Sequence, residues 1–143
     1  MNSSALILAL ATVFTAFSAQ AQGPVRIACS NGLKMTVVDM EFSSKALPGQ
    51  GLQAKIFAKD AGSGAPMHIN RVVGEGNSCQ ANVTRIVCAD GRNFNVVNFN
   101  FVSYNYGSQG LLSSIGARSP VTEEGASVSH VIGTSNVCRG IAE

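Results

Sequence analysis

Charged residues are scarce in this sequence, and their scarcity limits the partners that the protein can have. Lys and Arg number 10, Asp and Glu number 8, and the formal net charge is +2 at pH 7. The basic residues are scattered along the chain. Nucleic acid binding depends on many Lys and Arg contacts to phosphates. We therefore expect no nucleic acid partner.

The motifs of common enzyme chemistry are also missing. The sequence has no G-x-S-x-G, S-x-x-K or H-E-x-x-H motif and no P-loop. It has no C-x-x-C and only two His, so its four Cys do not suit zinc binding. We expect no metal and no cofactor, and we expect a protein that is not an enzyme.

Only one apolar run occurs, at the amino terminus. It extends from Ala5 to Phe17 and is followed by Ala19-Gln20-Ala21, which fits an A-x-A cleavage site. The run is too short to cross a bilayer of about 30 Å. The pattern predicts a signal peptide at 1–21 and one mature domain at 22–143. We therefore expect a secreted or periplasmic protein with no membrane span after cleavage.

The mature sequence repeats itself. Arg26–Gly32 (RIACSNG) returns as Arg85–Gly91 (RIVCADG), 59 residues later. Residues 25–83 and 84–142 align without a gap and share 17 identities in 59 positions. We interpret the pattern as a tandem duplication. A lone unit of this size would bury only about 60% of its unfolded surface, so we expect the two repeats to share one core.

Four Cys in an exported chain predict two disulfides. The repeat admits all three pairings symmetrically, and the loop entropies do not decide between them. Pairing within each repeat, Cys29 with Cys79 and Cys88 with Cys138, is preferred, because an ancestral single repeat would then have had its own bridge. The alternatives tie repeat to repeat, or clamp the junction and the termini.

Each repeat predicts four short strands and no helix of three turns. Asn31-Gly32 and Asp90-Gly91 suit tight hairpins. The resulting fold class is all-β, an antiparallel sandwich or a small barrel. The predicted strands are Val25–Cys29, Leu33–Phe42, Leu52–Lys59 and Met67–Val73 in the first repeat, and Thr84–Cys88, Arg92–Phe101, Leu111–Ala117 and Ala126–Ile132 in the second.

The apolar alternation of the second strand breaks at the same place in both repeats. The break falls at Val37-Val38 and again at Val96-Val97. A strand has a side-chain period of two, so one extra residue is needed to keep a single apolar face. The pattern predicts a β-bulge at each Val-Val pair.

Asn residues make the long strand of the second repeat unusual, because Asn is disfavoured in strands. Asn98 and Asn100 lie on it, and Tyr104 and Tyr106 follow closely. Amides and aromatic rings together can hydrogen-bond to sugars and stack on them. This is the most suggestive binding feature of the sequence. The alternative is a soluble outer face that deters edge pairing.

Two further groups are candidates for a site. Arg71 and His130 occupy equivalent positions of the two repeats, in phase with apolar residues, so a cationic pair aimed inward could hold an anion. The alternative is that both residues lie near strand ends, at the rim. Asp39 and Glu41 share one strand face and could act with a histidine, His68 or His130, in a hydrolase. Their counterparts in the second repeat are Asn, which cannot act as acid or base, and a solvated outer face is the simpler interpretation.

The sequence as a whole indicates an exported, non-enzymatic β domain that binds a protein or glycan partner. The alternatives are a small secreted hydrolase and an inhibitor of an exported enzyme. Loops on such scaffolds usually carry function. The candidate loops are Lys45–Gly51, Ala61–Pro66, Tyr104–Gly110 and Ser119–Gly125.

Overall fold

The computed structural model of the protein describes residues 23–143, so the predicted signal peptide lies outside the described residues. Two single-turn α-helices and one short 3-10 helix, Gly107–Gln109, accompany eleven strands. In chain order the other elements are β1 (Val25–Cys29), β2 (Lys34–Leu47), β3 (Gly51–Asp60), β4 (Pro66–His68), α1 (Ile69–Val73), β5 (Ser78–Ala81), β6 (Arg85–Cys88), β7 (Asn93–Asn95), β8 (Val97–Asn105), β9 (Leu111–Arg118), β10 (Gly125–Ser127), α2 (Val128–Ile132) and β11 (Val137–Ile141).

Six strands close into an antiparallel barrel. Of the two predicted all-β architectures, the protein therefore has the small barrel and not the sandwich. The ring runs β3, β9, β8, β5, β1, β2 and back to β3. Strands β11, β6 and β7 continue outward from β2, while β4 pairs with β3 and β10 pairs with β9. Closure leaves no free edge within the ring, so only the short outer strands expose one.

One apolar cluster fills the molecule. Phe42 and Phe99 lie with ring centroids 6.0 Å apart, at a tilt of 49°. Both halves of the sequence contribute to the cluster, so the described residues have a single shared core. Its largest fully buried apolar side chains are Phe42, Phe99, Phe101, Ile27, Met40, Ile56, Ile69, Ile86 and Ile115.

Strand pairing crosses between the two halves of the sequence. In the pairing of β5 with β8, Cys79 lies opposite Phe101. In the pairing of β11 with β2, Cys138 lies opposite Phe42, and both residues are offset by 59 from the first pair. Each half therefore completes its sheet with a strand from the other half. These equivalent pairings fit the predicted duplication, which itself stays a prediction.

The long strand of each half has an irregularity close to the predicted place. The β2–β3 register shifts between Val38 and Glu41, and the β8–β9 register shifts at the equivalent position. Asp39 and Asn98 lie within the two shifts, with φ of 54° and 55°. The predicted break in alternation is thus present, but it begins directly after each Val-Val pair rather than at the pair.

The predicted fourth strands are wrong over most of their length. Residues 66–68 and 125–127 form short strands, and each continues into a helix, α1 or α2, instead of extending. Each helix ends at a glycine of positive φ, Gly74 or Gly133. The N–H of that glycine donates to the carbonyl of Asn70 or Ser129. Asn70 and Ser129 are themselves fully buried, which a helical turn permits and the predicted alternation does not.

The strand count also differs from the predicted eight. Strands β5 and β11, at 78–81 and 137–141, were not expected, because each follows an Asn- and Gly-rich turn and is short. The predicted strand Arg92–Phe101 is divided into β7 and β8. Short strands of this kind depend on their neighbours in the sheet more than on their own sequence.

Each disulfide lies within one predicted repeat, as preferred from the sequence. Cys29 bonds to Cys79 and Cys88 bonds to Cys138, each across a sequence separation of 50 residues. The members of each pair are direct cross-strand neighbours, on β1–β5 and on β6–β11. Closing loops of this length restricts the unfolded chain and is worth about 4 kcal/mol for each bridge.

A buried polar layer crosses the barrel where β3 meets β9. The Asn70 side chain donates to Ala54 O at 3.2 Å and to Ser113 Oγ at 2.6 Å, and it accepts from Ile56 N–H at 2.8 Å. Ser113 Oγ lies 2.7 Å from Ser103 Oγ. The Asn70 amide thus supplies hydrogen bonds at a place where the two strands separate.

The equivalent layer of the other half lacks these bonds. Ala54 occupies the position equivalent to Ser113, and Ser129 occupies the position equivalent to Asn70. The hydroxyls of Ser44 and Ser129 are buried and have no hydrogen-bond partner among the described residues. A buried hydroxyl without a partner lowers the free energy of unfolding.

We expect different effects on the free energy of unfolding from the substitutions Ser113→Ala and Ala54→Ser, which exchange the residues of these two equivalent positions. Ser113→Ala leaves Ser103 Oγ without its partner and should lower the free energy of unfolding by about 1–3 kcal/mol. Ala54→Ser offers a partner to Ser44 and should leave the free energy unchanged or raise it. Urea unfolding of both variants measures the difference. Equal losses in both would show that the hydroxyl layer does not set stability.

Candidate functional site

One outer sheet face of the barrel has an uncharged centre, bordered on β1, β2 and β9 by Arg26, Lys34 and Arg118. We name it the uncharged face. Cross-strand register joins Ala28 to Gln80, Gln80 to Asn100 and Asn100 to Gly116 in one row, and a second row contains Ser78, Val102 and Ser114. All of these residues are exposed or half-exposed. The face comprises Ala28, Ser78, Gln80, Asn100, Val102, Tyr104, Ser114 and Gly116.

The equivalent face of the other half is charged. We name it the charged face, and it lies on β6, β11, β2 and β3. Its main row joins Val87, Arg139, Glu41 and Phe57 by the same register. The two faces therefore share a backbone arrangement and differ in chemistry. The residues of the charged face, each 59 positions from its counterpart, are Val87, Val137, Arg139, Glu41, Ser43, Lys45, Lys55 and Phe57.

Two tyrosines mark one end of the uncharged face. Tyr104 is 44% exposed, and its ring lies edge-on to that of Tyr106 at a centroid distance of 6.4 Å. Burial, with a smaller effect of Tyr104, raises the pKa of Tyr106 above 10.0. The Tyr106 phenol is therefore a neutral hydrogen-bonding group near neutral pH. The predicted pair thus forms one exposed aromatic unit.

Asn100 and Asn98 have different places on strand β8. Asn100 lies in the middle of the main row, where its amide Nδ2 donates to Asn98 O at 2.8 Å. Opposite it, Gly116 has no side chain, and a Cβ there would come within 3.3 Å of the Asn100 amide. Asn98 lies in the irregularity with positive φ, at the edge of the face. Of the two predicted amides, Asn100 is therefore the central one.

The remaining residues of the face were not singled out from the sequence. Ser78, Gln80, Ser114 and Gly116 come together only through strand pairing. A signal for them did exist in the repeat alignment. Lys55, Glu41 and Arg139 each align with an uncharged residue, and the alternation of a strand assigns all of these positions to its outer side.

The predicted inward pair of Arg71 and His130 does not point inward. Arg71 lies on α1 and His130 on α2, and both are exposed. The prediction assumed strand alternation through these segments. In a helical turn the buried positions are instead Ile69, Asn70 and Val73 in α1, with the equivalent ones in α2.

The residues of the hydrolase alternative lie on the charged face or beside it. Asp39 forms an exposed ion pair with Lys59, at 3.7 Å between Oδ2 and Nζ. Glu41 and His68 both flank Phe57 in the same cross-strand row, one on each side of it. Phe57 thus stands between the acid and the histidine. The hydrolase alternative stays a prediction.

A shallow polar depression of about 350 Å³ lies beside the first disulfide. Its central side chain is Asn77, whose Oδ1 accepts from Ser30 Oγ at 2.8 Å and from Asn31 N–H at 3.2 Å. The Asn77 amide Nδ2 donates to Val73 O, the carbonyl of the last residue in α1. These bonds fasten the first hairpin turn to the helix, so the polar groups of the depression are occupied by structure.

Residues 23–143 contain neither a metal-ligand cluster nor a membrane-spanning helix. In that part of the chain, no group of three or more His, Cys, Asp or Glu side chains is placed to hold a metal ion. No helix there is long and apolar enough to cross a membrane.

No family model, curated protein or solved structure matches this chain.

The stability of the protein should depend on His68 at mildly acidic pH. Burial, followed by the positive charge of Arg71, lowers the pKa of His68 from 6.5. The unfolded chain then binds a proton there more readily than the folded protein does. The stabilisation is complete above pH 6.5 and is lost as the pH falls below it. His68→Gln should therefore flatten the decline in unfolding free energy between about pH 7 and pH 5.

Urea unfolding as a function of pH measures this effect, with His130→Gln as the matched control. Asp60 and Asp90 accept backbone N–H bonds from Ser63 and Arg92, which lower their pKa from 3.8. Their contributions are lost only below that pH, outside the window of His68. An unchanged slope in His68→Gln would contradict the prediction.

Proposed function

We propose that the protein is an exported, non-enzymatic module that binds a neutral glycan across the uncharged face. One observation carries this proposal. The eight residues of the uncharged face, on four adjacent strands, carry no charge and are flanked by Arg26, Lys34 and Arg118, while the equivalent positions of the other half include Glu41, Lys45, Lys55 and Arg139. Removing charged groups from water is costly unless they are paired, so an uncharged face suits an uncharged ligand.

The side chains of the face suit a sugar chain in particular. Gln80 and Asn100 each offer an amide donor and an acceptor, and Ser78 and Ser114 offer hydroxyls that do both. The exposed ring of Tyr104 provides an apolar surface with a polar tip, as aromatic residues at binding surfaces often do. Because Gly116 has no side chain, no atoms project from the row beside Asn100. Flat contact along two rows of a sheet fits an extended oligosaccharide.

The scaffold keeps these groups in fixed positions. All eight residues of the face lie on paired strands, which hold binding groups more firmly than loops do. The bond between Cys29 and Cys79 joins β1 to β5 directly beneath the face. Amides and aliphatic hydroxyls are poor general acids and bases near neutral pH, so this chemistry favours binding without turnover. The two disulfides also fit an oxidising compartment, as export requires.

Binding of uncharged oligosaccharides tests the proposal directly. We expect isothermal titration calorimetry to detect binding of at least one hexasaccharide from cellulose, xylan, mannan, β-1,3-glucan or chitin. Tyr104→Ala should weaken that binding by about tenfold or more, equivalent to about 1.4 kcal/mol, because the stacking surface is lost. Asn100→Ala should weaken it by a smaller factor.

The repeat offers matched controls on the charged face. Lys45→Ala and Glu41→Gln alter the positions that correspond to Tyr104 and Asn100. Both variants should bind the hexasaccharide as the unchanged protein does. If no hexasaccharide binds, or if the control variants lose as much affinity as Tyr104→Ala, the proposal is wrong.

Export is tested separately by mass spectrometry of the protein recovered outside the cell or from the periplasm. We expect an intact mass that begins at Gln22 and lacks four hydrogens for two disulfides. Reduction should restore those four hydrogens. An intact chain that begins at Met1 and remains inside the cell with free thiols would refute export without affecting the binding result.

A further inference from the structure

A basic cluster surrounds an exposed aromatic ring on the charged face. Phe57 is 40% exposed, and its ring meets the His68 ring edge-on with centroids 4.6 Å apart. Lys55 lies two residues earlier on the same face of β3, and Arg71 lies on α1 directly after the strand of His68. We name these four residues the Phe57 cluster.

The cations of the Phe57 cluster have no acidic partner among residues 23–143. No carboxylate in that range lies within 4.0 Å of Lys55 or Arg71, whereas nearby Lys59 pairs with Asp39. The positive charges of Arg71 and Lys55 both act on His68 and help to lower its pKa, after the larger effect of burial. The cluster therefore has a positive potential that no close ion pair cancels.

The charges around the Phe57 cluster leave it positive. Glu41 is the cross-strand neighbour of Phe57 on β2, on the side away from His68. Arg139 of β11 lies opposite Glu41 on its other side, so three cations, Lys55, Arg71 and Arg139, stand against the one carboxylate of Glu41. Arg71 and Lys55 thus remain to attract a negative group from solution.

We propose that Lys55, His68, Arg71 and the exposed ring of Phe57 form a second binding site, which takes an anionic sugar. The cations hold a carboxylate or sulfate group through charge-assisted hydrogen bonds. The Phe57 ring contacts the apolar face of the sugar that carries it. A uronic acid and a sulfated sugar both present an anionic group on a sugar ring. Titration with one probe of each kind distinguishes them.

This site is independent of the glycan site proposed for the uncharged face. The positions equivalent to the four cluster residues are Ser114, Gly116, Ser127 and His130. No residue of the cluster belongs to the uncharged face. Failure at either site therefore leaves the other untouched, and a protein with both would join a neutral glycan to an acidic one.

Backbone amide NMR of the ¹⁵N-labelled protein, titrated with trigalacturonic acid and separately with sucrose octasulfate, tests the proposal. We expect saturable shift changes at the four cluster residues with at least one of these probes. At saturation the pKa of His68 should rise, because the bound negative charge offsets Arg71 and Lys55. Which probe binds more tightly distinguishes the carboxylate source from the sulfate source.

Variants separate a built site from general attraction to positive charge. Arg71→Gln and Lys55→Ala should each weaken binding at least about tenfold, while Lys34→Ala removes one charge elsewhere and should change it less than about twofold. Phe57→Leu should weaken the sugar probes but not inorganic sulfate. Equal losses in all the lysine and arginine variants, or shift changes spread over every basic residue, would overturn the proposal.

Discussion

The closure of the barrel depends on the contact between β3 and β9, and a side chain rather than a strand completes it. The two strands pair through Ala54 and Ser113 and then separate. Where they separate, the Asn70 amide bonds to Ala54 O, Ile56 N–H and Ser113 Oγ. Buried backbone groups need such partners, because leaving them unpaired costs as much as a lost hydrogen bond. The helical turn of α1 is what brings Asn70 to this place.

Closure in turn fixes the two faces. Each half of the chain receives a strand from the other half, so the same four-strand arrangement occurs twice around one core. The backbone positions are matched, and only the side chains differ. One face carries amides, hydroxyls and a tyrosine, and the other carries charges and a phenylalanine. A framework whose two halves match in this way can carry two surfaces of different chemistry on one fold, because outward residues contribute little to the shared core.

Much of the framework follows from local pattern. The first three strands of each repeat, the tight turns at Gly32 and Gly91, the preferred disulfide pairs and the break in alternation near Val38 follow from residues close together in the sequence or from the repeat. Tyr104, Tyr106 and Asn100 are predicted on the same basis, and the two tyrosines do lie together. The orientation of Arg71 is mispredicted, because a period of two was extended into a segment that turns helical.

The sequence alone determined the all-β class, the disulfide pairing preference and the phase of each long strand, since side-chain period and turn chemistry are local properties. Tertiary structure alone decided the helices α1 and α2, the strands β5 and β11, the choice of barrel over sandwich and the membership of each face. The physical reason is distance along the chain. Asn70 bonds to Ser113, 43 residues away, and Gln80 meets Asn100 only when the sheet closes. The two partners of such a contact are too far apart in the sequence for any local pattern to predict that they meet.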